Sequence, residues 1–310
     1  MTQMTYPFSG EIYFEPEYVY NAGLGNANAS INPEVFSDKV QVVRIESGDV
    51  HKTLRGINGP NVCGFVKTGG DATLHLEWIW QPNSRTSLAS YCAMRRTDET
   101  TLNSSGSVHS LAFGIQLGKS NASDTHYHLT GCVCKSITLS SSRGEEYIWS
   151  ADFDVGTVAT STTSNAVSPA SWSVNSANAY AGFNQAGSIT FTGGYTAYIT
   201  DSINVTINNN TTAYWDVGST SKKACIAGAL DITGSSDLSI DDGGGNAWDI
   251  IASKLTDITS LVIDTACTSG MDKLTLTTGK YDNISVEANT GNEGMIQSIP
   301  FTFKSAALST

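Results

Sequence analysis

The residue types best suited to chemistry lie close together at His126-x-His128 and Cys132-x-Cys134. Imidazole and thiolate are the usual zinc ligands. Residues i and i+2 of a strand share a face, so two such pairs could converge on one ion. The matching stretch half a chain later carries Lys280 and Asp282, so the local fold does not require ligands there. A lone Cys-x-Cys spacing is a weak signature, and small buried thiols are the reading taken. A second cluster, Asp237, Asp241, Asp242 and Asp249 around Gly243-Gly244-Gly245, offers oxygens for calcium. It lacks the distal bidentate glutamate, so it reads as an Asp-rich turn. There is no Gly-x-Ser-x-Gly elbow and no phosphate-cradling glycine loop with its lysine, and Gly23-x-Gly25 lacks a third glycine. Carboxylate pairs for glycoside hydrolysis converge only in a fold and cannot be read here. The expectation is a non-enzyme with no catalytic, cofactor-binding or metal-binding residues and no cofactor.

The elements that must position these residues are strands. Leu74, Leu76, Trp78 and Trp80 alternate with Thr73, His75 and Glu77; Trp149, Ala151, Phe153 and Val155 alternate with Ser150, Asp152 and Asp154. Later, Ile203, Val205 and Ile207 oppose Ser202, Asn204, Thr206 and Asn208, and Ile299, Phe301 and Phe303 oppose Thr302 and Lys304. Period-two alternation means one buried and one wet face. A short pattern occurs twice. Thr130-Gly131, Ile137-Thr138-Leu139, Gly144 and Trp149–Phe153 return as Thr278-Gly279, Ile284-Ser285-Val286, Gly291 and Phe301–Phe303, at offsets of 147 to 148 for the first three. The duplication predicts two β domains, residues 1–160 and 161–310, each with one short helix. One helix is expected over 84–94 with Leu88, Tyr91 and Cys92 inward. The other is expected over 247–256, capped by Asn246, with Trp248, Ile251, Ala252 and Leu255 on one face. Residues 95–108 read as an inserted polar surface loop, 156–170 as the interdomain linker, and 46–60 and 208–222 as long hairpin tips.

The 310 residues suit two domains, each long enough for its own core. Charged residues are only 15 %, and the net charge is −12. All six arginines lie in the first half, so no basic patch is shared by the repeats. Gripping DNA needs clustered cations that displace counterions; this chain would repel a phosphate backbone. Residues 1–10 lack a charged start and an apolar run, so no secretory signal is expected, and nothing approaches a membrane span of about 20 apolar residues. Six cysteines are weak evidence for disulfides in such a chain.

The run Asp201-Ser-Ile-Asn-Val-Thr-Ile-Asn-Asn-Asn210, then Ala224-Cys-Ile-Ala-Gly-Ala-Leu-Asp-Ile-Thr-Gly-Ser235 and the Trp248 helix, resembles the tail tube (major tail) proteins of long-tailed viruses. The run from Leu129 through Val155 resembles the member of that family with a duplicated tube domain; the likeness covers roughly residues 35–155 and 190–305. The resemblance implies two tandem β-sandwich or barrel domains, each flanked by a helix. It implies self-association into rings that stack as a hollow tube in the virion, made in the host cytoplasm. A homotrimer with pseudo-sixfold symmetry is favoured, a homohexamer being the other option. Tail terminator, tape measure and baseplate or tip proteins are the implied partners. Double-stranded DNA would pass through the lumen without specific binding, and no membrane is involved. The tips 46–60 and 208–222 and the C-terminal arm 304–310 are the expected ring-to-ring contacts. Two other readings stay open: a carbohydrate-binding tail fibre or baseplate module, and a secreted β-sandwich hydrolase.

Overall fold

Alternation of apolar and polar residues builds a mainly β protein. The computed structural model describes residues 10–17, 20, 34–35, 40–55, 62–80, 88–93, 95–96, 102–103, 108–119, 122–161, 173–174, 188–192, 200–217, 219, 221–239, 257–265, 273–282, 285–287 and 296–309. The first half contributes β1 (Gly10–Pro16), β2 (Glu34–Val35), β3 (Val40–Arg55), β4 (Val62–Ile79), α1 (Leu88–Ala93), β5 (Arg95–Arg96), β6 (Leu102–Asn103), β7 (Ser110–Lys119), β8 (Ala122–Ser142), β9 (Ile148–Val155) and β10 (Thr157–Ser161). The second contributes β11 (Ser173–Val174), β12 (Ser188–Thr192), β13 (Thr200–Asn208), β14 (Thr212–Trp215), β15 (Lys222–Ile226), β16 (Asp231–Ser239), β17 (Asp257–Asp264), β18 (Lys273–Tyr281), β19 (Ser285–Glu287) and β20 (Ile296–Ser309).

Each alternating run buries its apolar face, as the pattern requires: Leu74, Leu76, Trp78 and Trp80; Trp149, Ala151, Phe153 and Val155; Ile203, Val205 and Ile207; Ile299, Phe301 and Phe303. Aromatic rings pack between non-adjacent strands of the sheet. Phe113 of β7 sits edge-on to Phe153 of β9 at 5.2 Å, and Phe191 of β12 meets Phe301 of β20 at 5.8 Å. The antiparallel order β1-β7-β8-β9-β4-β3 in the first half recurs as β12-β17-β18-β20-β16-β13 in the second. The correspondence reaches single residues. A left-handed backbone occurs at Gly131 (φ 63) and at Thr278 (φ 55), 147 positions later. The halves meet directly: β13 pairs along the C-terminal part of β8, and the buried side chains form one contiguous cluster.

Several loop expectations are corrected. Residues 46–55 are not a bare tip but the extension of β3, paired with β4 out to Arg55↔Val62; residues 56–60 lie outside the described residues. Alternating Val50, Lys52 and Leu54 suit a strand once β4 offers the partner edge. The linker expected from residue 156 begins instead as β10, which pairs with β8 from Thr157↔Thr130 to Ser161↔His126; 162–170 lie outside the described residues. Within the expected insertion, β5 and β6 form a small hairpin. The C-terminal arm is not free: Ser305 to Ser309 pair with β18, burying Ala306 and Leu308. Within residues 208–222, Thr212–Trp215 form β14, which pairs antiparallel with β15; 218 and 220 lie outside the described residues. Within the first expected helix, Leu88–Ala93 are helical and wholly buried, with Leu88, Tyr91 and Cys92 inward; 84–87 and 94 lie outside the described residues. The second expected helix lies outside the described residues.

Candidate assembly surface

The four residues first singled out all sit on β8. Cys132 and Cys134 are fully buried, and the Cys134 thiol donates to the Ser136 carbonyl at 3.4 Å. Burial pushes the Cys132 thiol well above its ordinary range, and burial beside Cys134 does the same to Cys92. His126 is buried opposite Gln116 and Ser161. No group of three or more His, Cys, Asp or Glu among the described residues is arranged to hold an ion. Asp237 accepts a bond from Ser202 at 2.7 Å, while Asp241, Asp242 and Asp249 lie outside the described residues. Sequence reading passed over His75, whose ring nitrogens lie 2.7 Å from Asp152 and 3.1 Å from Glu77. The signal was present in the wet face of β4, but nothing there tells that the partner strand brings Asp152 opposite.

The sheet edges define the surface. Where the halves join, β13 lies antiparallel to β8 with Ile207↔Ile137, Val205↔Leu139 and Ile203↔Ser141. Thr138 and Thr206 share a 3.0 Å hydroxyl hydrogen bond on the other face. The strand at the corresponding place in the first half is β3. Among the described residues it pairs only with β4, and β10 pairs only with β8. An unpaired edge is a template for another strand. Between these two edges runs an open groove of about 540 Å³ lined by Val43, Ile45, Ser47, Tyr127, Val158 and Thr160. Register carries those six onto Ile203, Val205, Ile207, Leu274, Ala306 and Leu308, all buried. In the second half the groove is closed because β8 covers β13, α1 contacts β20, and Asn209 donates to the Cys92 and Cys134 carbonyls at 3.0 and 3.1 Å.

The β14–β15 hairpin leaves the sheet and docks on the first half. Lys222, buried, reaches Asp71 at 3.0 Å, Asp154 at 3.3 Å and the Ala72 carbonyl at 3.3 Å. Thr211 donates to Asp154 at 2.6 Å, and the Trp215 indole N–H to the Gly70 carbonyl at 3.3 Å. Burial, and then the Asp154 carboxylate nearby, push the Cys225 thiol up to about 11. Tyr214, Trp215 and Ile226 of the hairpin, and Val217 between its strands, stay exposed.

The protein is thus mainly antiparallel β, its halves joined by strand pairing, with one edge of β3 unpaired among the described residues. The chain matches the family model described as "Phage tail tube protein" over residues 10–303, nearly its whole length. It belongs to that family, a structural component of the virion tail and not an enzyme family. A search of curated proteins finds no match.

Proposed function

We propose that this tail tube protein polymerises into rings, that the rings stack into the hollow tube, and that the tube conducts the genome during ejection. The observation that carries the reading is the recurrence of one strand order in both halves, joined edge to edge. Two copies of one unit, meeting near residue 161, are the economical account of that recurrence. Head-to-tail repetition of one junction closes into a ring. With two units per chain, three chains make a pseudo-sixfold ring, the arrangement favoured over a hexamer. The exposed apolar residues Tyr214, Val217 and Ile226 of the β14–β15 hairpin suit contact with the next ring. An acidic wall, with −12 formal charge per chain, suits passage of DNA without retention. Negative-stain microscopy of the purified chain, from dilute to concentrated, is the test. Rings or tubes with three- or six-fold projections are expected; a species that stays monomeric at every concentration overturns the reading.

A further inference from the structure

The internal junction specifies an external one. Val205 pairs with Gly234 and Gly234 with Phe301; Ile45 pairs with Leu74 and Leu74 with Phe153. Ile45 therefore stands in the first half where Val205 stands in the second. By the same transfer, Leu139↔Trp149 matches Val286↔Gln297, so β19 is the counterpart of the part of β8 that receives β13. Among the described residues, β19 pairs only with β20 and β3 only with β4, which leaves one edge of each open.

We infer that the open edge of β3 is the lateral docking strand for β19 of a second copy of this chain, antiparallel, with Ile45 opposite Val286 and Arg44 opposite Glu287. The inference rests on the ring reading above and adds the surface, the partner strand and the register. Three observations carry it. The internal copy of the junction shows what fills such an edge: Val205↔Leu139 stands where Ile45↔Val286 would stand. The groove beside β3 is open only where that cover is missing, and its apolar members Val43 and Ile45 are only partly buried. The register also sets opposite charges across from each other. Asn204↔Ser140 of the internal junction becomes Arg44↔Glu287, and the Arg44 side chain is 62 % exposed, with Glu46 at 3.4 Å. Cross-strand opposite charges stabilise a pair, and like charges destabilise it.

The test is cysteine pairing in the full chain. Directly opposed residues of an antiparallel pair have Cα atoms about 4.5–5.5 Å apart, within disulfide reach. The double variant Arg44→Cys/Glu287→Cys, oxidised after assembly, is expected to give a ladder of covalent oligomers on a non-reducing gel. Each single variant, and the two-residue register control Val42→Cys/Glu287→Cys, are expected to stay largely uncoupled. A charge exchange gives an independent readout. Arg44→Glu is expected to raise the concentration needed for assembly about tenfold, and adding Glu287→Arg to restore most of it. Rings or tubes that form without the ladder, or with the control coupling equally, overturn this register and leave the tube reading standing. A chain that never assembles overturns both.

Discussion

Lys222 is the cation that ties the second-half hairpin to the first half, and its removal gives a well-defined expectation. In Lys222→Met the stem keeps its length and apolar contacts, while the charge and three donors disappear. The side chain is 1 % exposed; Asp154 is 18 % exposed and Asp71 54 %. Breaking one side of a buried pair costs about 3–5 kcal/mol because the remaining charge is left uncompensated. Asp71 is more than half exposed and rehydrates, so its share falls to the ~0–1 kcal/mol of surface pairs. Asp154 keeps the Thr211 hydroxyl but loses its cation. The net expectation is a loss of about 3 kcal/mol. Urea denaturation of the dilute chain measures it, and limited proteolysis of the hairpin between residues 212 and 226 shows where docking is lost. Adding Asp154→Asn should recover about 1 kcal/mol or more, since the stranded carboxylate is removed. A loss under about 1 kcal/mol for Lys222→Met, or strictly additive losses in the double variant, would refute the account of Lys222 as a buried staple.

Gly234→Ala should destabilise by about 1–3 kcal/mol, because a Cβ there presses into the Asn204 carbonyl and the Phe301 ring; a shift in thermal midpoint measures it. Thr278→Gly should stabilise by about 0.5–1 kcal/mol, since a β-branched residue is held at φ 55; an unchanged denaturation midpoint contradicts this. Stability should fall under alkali. Burial raises Tyr147 from 10.0 to about 12, and burial with Asp154 raises Cys225 from 9.0 to about 11. A raised acid keeps its proton when folded, so this stability is full below the unfolded values and lost as pH climbs through about 9 to 12. Cys225→Ser should flatten the lower part of that decline in a melting series from pH 8 to 12; a slope identical to the parent's would count against it.

The strand faces were legible because alternation is a local signal: Leu74 to Trp80 and Trp149 to Val155 bury as their spacing dictates. The sequence also carries a recurring pattern, Ile137-Thr138-Leu139 against Ile284-Ser285-Val286, beside the strand order that recurs in both halves. Partnership was not legible. Residues 46–55 and 157–161 carry small and polar side chains suited equally to loop or strand, and only a neighbouring edge on β4 or β8 decides the matter. The C-terminal residues read as an arm for the same reason, until β18 supplies a ladder for Ser305 to Ser309. The assembly surface was legible only as a general expectation of open borders. Its particular members, Val43, Ile45 and Val158, are ordinary strand residues distinguished by lining a groove left open among the described residues, a property of three dimensions.

The pairing of β13 with β8 inside one polypeptide also bears on kinetics. A contact between tethered segments forms at an effective concentration of about millimolar, far above that of separate chains in solution. In the ring proposed above, half of the lateral seams are thus sealed before any encounter, and diffusion has only the other half to complete. On the same proposal each newcomer offers a single donor border and a single acceptor border, so few wrong-way adducts compete with closure.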